Sequence, residues 1–476
     1  VTRPTSATRT LALLVACLCP ASPATAVEET IIGAKTPGVR WTAPIGFRRG
    51  MIGVGPKHVV VGTNEVKYLD DGSVEQGGTG GSVVGFDRAT GRRLWQRKHP
   101  FRFPQRRENA GVASTPTIDG ERVYYLSNAG EFVSLNVADG ALVWSIDMSA
   151  ELKICFASDW ALFNPFCKPL VHGDYVYCVT GNGCTHSWSS MSEYLKSDEA
   201  VPRPDAPHFL CVHKATGKIA WSSAAPGKKA VYSWSSPVLC RVGDREAIAF
   251  PGGDGTLYFF EPVKGALLYS HEFNRPGVKE WGRGGHGGER TFFTAAPIVV
   301  GDILYAGTAQ DTYDYPKDAP LLALDLKRMF EREPKVERWR VDPEKYGWTR
   351  IAPAIGRELV FVVDDESVDI VALDKSTGAI RARREGSTNS TPSPFGSLHV
   401  IGDRLYVTLG TAIDVYTADE RLEHLKSMTF LKDPEDGYGE IQGPMVVDGG
   451  DVFVAQQSHV FCLSLDAIVG PATAKN

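Results

Sequence analysis

GFDRATGRRLW, running from Gly85 to Trp95, joins the end of an apolar strand to a polar turn holding a glycine, and then to a second strand that closes on an aromatic residue. The same arrangement returns as SLNVADGALVW (Ser134 to Trp144), CVHKATGKIAW (Cys211 to Trp221) and FFEPVKGALLY (Phe259 to Tyr269). Looser copies are ALDLKRMFEREPKVERW (Ala323 to Trp339, with an insertion in its turn), ALDKSTGAIRA (Ala372 to Ala382) and VYTADERLEHL (Val415 to Leu425). Apolar alternation around a turn in which glycine supplies a positive φ is the pattern of a β-hairpin. Upstream of each copy lie two more short apolar runs punctuated by Gly-Asp or Asp-Gly, as in TPTIDGERVYYLS, KPLVHGDYVYCVT, APIVVGDILYAGT and SLHVIGDRLYVTL. Four antiparallel strands per repeat is the composition of a propeller blade.

The strands that end the repeats fall at Trp41, Trp95, Trp144, Trp221, Tyr269, Trp339, Ala382 and Leu425, which predicts eight blades and an all-β chain. The ends of the chain complement each other. Gly443 to Leu465 supplies three strands without a fourth, whereas TPGVRW (Thr36 to Trp41) is a fourth strand alone, so the last blade is expected to be closed by the N-terminal strand. The propeller is thereby placed at 36–465, with 466–476 as a tail. One column of the repeat, Gly85, Ser134, Cys211, Phe259, Ala323, Ala372, Val415 and Cys462, is mostly small and reads as a tight packing slot. Cys211 and Cys462 are therefore expected in the core, and the tryptophans between neighbouring blades.

The 476 residues carry a formal charge of −5, 43% hydrophobic and 22% charged residues, which is globular composition and argues against nucleic acid or an anionic membrane surface as a general partner. Arg3 and Arg9, the apolar run Leu11 to Cys19 and Ala24-Thr25-Ala26 read as a signal peptide over 1–26, so export to the periplasm or the extracellular space is expected. Leu14-Val15-Ala16-Cys17 also resembles a lipobox, which would leave the chain lipid-anchored through Cys17. No later apolar run is long enough to cross a bilayer, and a monomer is expected. Seven cysteines remain beyond Cys17 and Cys19, and Cys155 with Cys167 or Cys178 with Cys184 are candidate disulfides.

The signature A-x-D-x-x-T-G-x-x-x-W, nearly intact in Gly85–Trp95 and partial in Ala372–Ala382, resembles the pyrroloquinoline-quinone-like (PQQ-like) repeat, over almost all of Pro37 to Leu465. That resemblance implies three kinds of protein: quinoprotein dehydrogenases that hold the quinone with Ca²⁺ over the ring axis, outer-membrane assembly lipoproteins, and ligand-binding sensor domains. The repeat does not choose among them. The adjacent-cysteine pair that caps the quinone in many alcohol dehydrogenases has no counterpart in this sequence.

In a propeller, residues just before each innermost strand converge on one mouth of the central channel. These include Asn109, Ser114, Lys168, Trp234, Ser235, Arg290, Arg350, Asn389 and Gln442. Lys168, Arg290 and Arg350, with the amides of Asn389 and Gln442, could together hold a carboxylate, phosphate or quinone carboxylate, and Trp234 is either a stacking floor or a core aromatic. The expected function is a binding or scaffold module for an envelope protein, a glycan or a small anionic ligand. The alternatives are a PQQ- and Ca²⁺-dependent dehydrogenase of alcohols or sugars, with an acid such as Asp254 as base, and an outer-membrane assembly lipoprotein. His172, His186, His208, His213 and His286 have no metal-ligand spacing, so no metal site is assigned; Asp311, Asp314 and Asp318 read as a solvated acidic loop rather than a Ca²⁺ site. Loops at Cys184–His208, Gly282–Arg290 and Ala309–Pro320 are the long insertions.

Overall fold

A four-stranded unit with apolar residues on both faces can bury them only against a copy of itself, and here the copies close on one another in a ring. The computed structural model describes residues 27–46, 50–100, 102, 111–154, 167–182, 203–227, 235–278, 290–309, 318–387, 396–431 and 439–469. The strands form eight antiparallel meanders, an eight-bladed β-propeller. Blade 1 is Met51–Val54, His58–Tyr68, Val74–Asp87 and Arg93–His99; the remaining blades follow in chain order. Blade 8 consists of Val446–Asp448, Asp451–Ala455 and His459–Ser464, completed on its outer edge by Val39–Pro44. The N-terminal strand thus closes the ring as the sequence predicts. A further strand, Glu28–Ile32, pairs in parallel with the outermost strand of blade 7, His424–Phe430, and makes that sheet five-stranded.

The core lies at the seams between blades. Clusters of buried aliphatic and aromatic side chains join blades 1 and 2, 4 and 5, 5 and 6, 6 and 7, 7 and 8, and 8 and 1, and one large cluster spans blades 2, 3 and 4. The repeat signature explains the geometry of five of these seams. Gly85, Ser134, Cys211, Ala323 and Cys462 lie directly across the ladder from Trp95, Trp144, Trp221, Trp339 and Trp41. A small side chain there leaves room for the indole; a Cβ on Gly85 would come within 2.3 Å of the Trp95 ring. Each indole then covers the turn glycine of the next blade, Trp95 on Gly140 and Trp144 on Gly217. Its Nε1 donates to a carbonyl of that same turn: Trp41 to Arg88, Trp95 to Val137, Trp144 to Lys214, Trp221 to Pro262 and Trp339 to Lys375, at 2.8 to 3.0 Å. Removing an indole of this kind from water contributes on the order of 5 kcal/mol before ordering costs.

Three seams lack the tryptophan, and there residues outside the repeat column provide the filling. At the seam of blades 4 and 5, where Tyr269 stands, the turn insertion of blade 5 forms a short helix, Leu326–Phe330, capped by Asp325, which buries Leu326 and Met329. Between blades 6 and 7 the partner of Ala372 is Ala382, and Leu422 from the blade 7 turn is buried beside it. At the seam of blades 7 and 8 the residue across from Val415 is Lys426, one position beyond the Leu425 expected from the repeat, and Ile32 and Ile468 fill the space.

Connections alternate between the two faces of the ring. On one face the turns into the second strand of each blade are tight, as from Asp119 to Arg122 and from Val242 to Arg245. The other face receives the long connections, including His99 to Thr117, Asp147 to Leu170, Val179 to Phe209 and Glu272 to Ile298, and the extended hairpin arm of blade 1. The expected signal peptide and most of the three insertions lie outside the described residues.

Candidate functional site

Inner-strand residues of all eight blades surround a cavity of about 590 Å³ on the ring axis, which is the central channel. Blade 1 contributes Met51 and Ile52, blade 2 Thr115, blade 3 Lys168, blade 4 Ser236, blade 5 Thr294 to Ala296 and Ile298, blade 6 Arg350 to Ile355, blade 7 Ser397 to Val400 and blade 8 Pro444 to Val447. The wall is mostly aliphatic, because these strands carry Pro-Leu-Val, Pro-Ile-Val and Pro-Met-Val-Val runs. Hydrogen bonds tie the inner strands into a ring. The Lys168 N–H donates to Ser236 Oγ at 2.8 Å, Thr117 Oγ1 donates to the Pro169 carbonyl at 2.6 Å, and the Met445 N–H donates to Ser397 Oγ at 3.0 Å.

Of the residues expected at the mouth, Lys168 and Arg350 reach the channel wall. They differ in how their charge is paired. Arg350 is buried and held by Asp365, with Nε at 2.8 Å and Nη2 at 2.6 Å from Oδ2, and its guanidinium lies 5.5 Å from the Trp348 ring. Burial raises the Asp365 pKa despite that partner. Lys168 has no carboxylate among the described residues; its side chain is open to the channel yet surrounded by protein, which lowers its ammonium pKa.

Arg290 and Gln442 do not come to the wall. Arg290 is drawn to its own loop layer, where Nη2 contacts Glu272 Oε1 at 2.5 Å and the Asp254 carbonyl at 2.9 Å. Gln442 donates through Nε2 to Glu440 at 3.1 Å and through its backbone to the Ala455 carbonyl. Ser114 and Ser235 are buried ties between blades, donating to the carbonyls of Cys167 at 2.7 Å and Ala295 at 2.5 Å. Trp234, Asn389 and Asn109 lie outside the described residues.

Asp254 sits in the turn from the second to the third strand of blade 4. Its carboxylate accepts from Tyr258 Oη at 2.8 Å and from the Thr256 N–H at 3.0 Å, while burial raises its pKa to about 6. It is not among the residues around the channel. Asp318, from the acidic loop, is buried against Arg275 and Arg340, so arginines rather than a cation neutralise it. Asp311 and Asp314 lie outside the described residues.

The thiols read as core residues are core residues. Cys211 and Cys462 are fully buried, and burial pushes the Cys211 thiol up to about 12. Cys167 and Cys178 are also buried free thiols; Cys155 and Cys184, their candidate disulfide partners, lie outside the described residues.

Two channel groups escaped the sequence reading. Thr294 Oγ1 and His399 Nε2 are buried at the wall with no hydrogen-bond partner among the described residues. His399 had a legible signal. In the aligned inner strands it occupies the column of Leu170, Ile298 and Val446, where it is the ionisable nitrogen base in a mostly apolar column.

Eight four-stranded blades, indole-over-glycine seams and an axial cavity define a β-propeller of the PQQ-like repeat type. A family model described as outer membrane protein assembly factor BamB matches residues 79–328 and 329–467, and the chain belongs to that family. It is 23% identical over 424 residues to the outer membrane protein assembly factor BamB of Shewanella oneidensis, covering 83% of this chain and 93% of that protein. Among solved structures it resembles BamB from Moraxella catarrhalis, with a TM-score of 0.55 at 13% identity over 84% of this chain and 96% of that one. It also resembles Sqt1 of Saccharomyces cerevisiae, with a TM-score of 0.51 at 9% identity over 89% of this chain and 98% of that one. At such identities the structural likeness speaks for the fold.

The PQQ-like repeat also implies a quinone with Ca²⁺ in some members, and the described residues do not fit that pair. No carboxylate among them lines the channel to ligate Ca²⁺, which takes oxygen donors, and the Arg290 and Arg350 guanidinia are held by Glu272 and Asp365.

Proposed function

We propose that this chain is an exported propeller that serves as a protein-binding scaffold in outer-membrane assembly. The observation that carries the reading is the family match across both halves of the ring, from residue 79 to residue 467. The architecture supports it. One face bears tight turns and the short helical turn of blade 5, while the longest connections and the blade 1 arm gather on the other, and binding surfaces concentrate on such loops. The leader-like sequence at 1–26 supports export, with the Cys17 lipobox as the alternative to cleavage after Ala26. Glycans and small anions remain secondary ligand classes of the same module, and the quinone-dependent dehydrogenase lacks a seat among the described side chains.

Photo-crosslinking in the native envelope tests the reading. A benzoylphenylalanine at Asp205 or Glu344, exposed on the long-connection face, is expected to give an adduct with a component of the machinery that assembles outer-membrane β-barrels. The same probe at Asp174 or Arg357, on the tight-turn face, is expected to give none. Adducts from the tight-turn positions alone, or none with an assembly component, overturn it.

A further inference from the structure

The channel holds chemistry that a scaffold does not use. Its wall is aliphatic from Met51 and Ile52 through Ile298, Ile351 and Leu398 to Met445, and at this wall lie one ammonium and two buried polar atoms with no hydrogen-bond partner among the described residues. Thr294 is 7% exposed and its hydroxyl has no partner among the described residues; His399 Nε2 likewise has none there. A buried polar group without a partner costs about 1–3 kcal/mol, a cost that a ligand in the channel would relieve. The Lys168 ammonium faces the same space with no carboxylate among the described residues, whereas Arg350, the other cation at the wall, is already neutralised by Asp365. The volume, about 590 Å³, falls within the usual span of small-molecule sites, roughly 300–1,000 Å³.

We propose that the central channel binds an amphiphilic monocarboxylate, an apolar chain with one anionic head, with Lys168 and Thr294 holding the head. A single uncompensated cation selects one negative charge. The aliphatic wall selects the chain, and the Thr294 hydroxyl donates a second hydrogen bond to the carboxylate. A polyanion such as a sugar phosphate would leave charge unpaired against the aliphatic wall, and a neutral sugar would strand its hydroxyls there. This goes beyond the scaffold reading and does not depend on it.

Titration calorimetry of the purified chain with decanoate, decanol and decyltrimethylammonium tests the site. One saturable site is expected, with decanoate at least about tenfold tighter than decanol, the scale of one charge-assisted hydrogen bond, and the cation unbound. Lys168→Met is expected to erase the preference for decanoate over decanol while leaving the unliganded melting temperature unchanged. Lys168→Arg should keep the preference, and Thr294→Val should weaken decanoate several-fold. No saturable decanoate binding, or binding that Lys168→Met leaves intact, overturns the proposal. The crosslinking pattern of the loop face is read separately, so failure of one assignment is distinguishable from failure of the other.

Discussion

If the indole-over-glycine contact sets the spacing of the blades, two glycines of the same blade should respond very differently to one added methyl group. Gly120 and Gly140 both adopt the left-handed backbone region, with φ of 57° and 72°. A Cβ on Gly120 would meet nothing within 4 Å, whereas on Gly140 it would lie 2.7 Å from Trp95 Cδ2 and 2.8 Å from Cε3. The backbone term is common to both, about 1–2 kcal/mol for an L-residue in that conformation. Only Gly140→Ala must also displace an indole that is anchored through Nε1 to Val137 and buried between blades 1 and 2, an overpacking cost of about 1–3 kcal/mol. Gly120→Ala is therefore expected to lower stability by about 1 kcal/mol and Gly140→Ala by about 3 kcal/mol. Urea unfolding followed by circular dichroism and tryptophan fluorescence measures both. Losses that agree within about 0.5 kcal/mol would refute the contact as a determinant of the ring.

The other predictions concern buried groups. The Asp254 pKa is raised by burial to about 6, so its native state holds the proton more tightly than the unfolded chain, and stability is lost as pH rises from about 4 to about 6. Asp254→Asn should match the parent below pH 4 and exceed it by about 2–3 kcal/mol above pH 6, read from urea midpoints across the range; a constant difference would contradict the assignment. Arg350→Met leaves Asp365 buried without its partner and should cost about 3–5 kcal/mol, most of it recovered by adding Asp365→Leu, in a thermal-melt double-mutant cycle. Leu422→Ala should cost about 2–5 kcal/mol by opening a cavity at the seam of blades 6 and 7, and equal stability to the parent by urea unfolding would show that another residue fills that seam.

The fold was legible because its seams are written locally. A tryptophan needs a small residue across the ladder and a glycine under it in the next blade, and both recur at fixed distance, so blade number and closure by the strand at Trp41 follow from counting. Where a seam is built from the other side the pattern vanishes from the sequence. Leu422 and Met329 take over the filling, and no periodicity in their own repeat announces it. The parallel strand Glu28–Ile32 was also hidden, since its partner His424–Phe430 lies at the far end of the chain.

The candidate site was legible in position more than in charge. Lys168 and Arg350 do stand at the channel, whereas Arg290 and Gln442, which also precede innermost strands, do not. Which cation keeps its charge depends on carboxylates distant in sequence, Asp365 for Arg350 and Glu272 for Arg290, and no local motif reports those pairings. His399 was visible as an imidazole in a mostly apolar column, but Thr294, four residues ahead of its strand, was not.

The central claim, that this propeller serves outer-membrane assembly, is tested most directly by deleting its gene in the native host and measuring folded outer-membrane β-barrel proteins by heat-modifiable mobility. The account predicts a fall in the folded fraction, restored by a plasmid copy of this chain. An unchanged folded fraction in the deletion strain would contradict it.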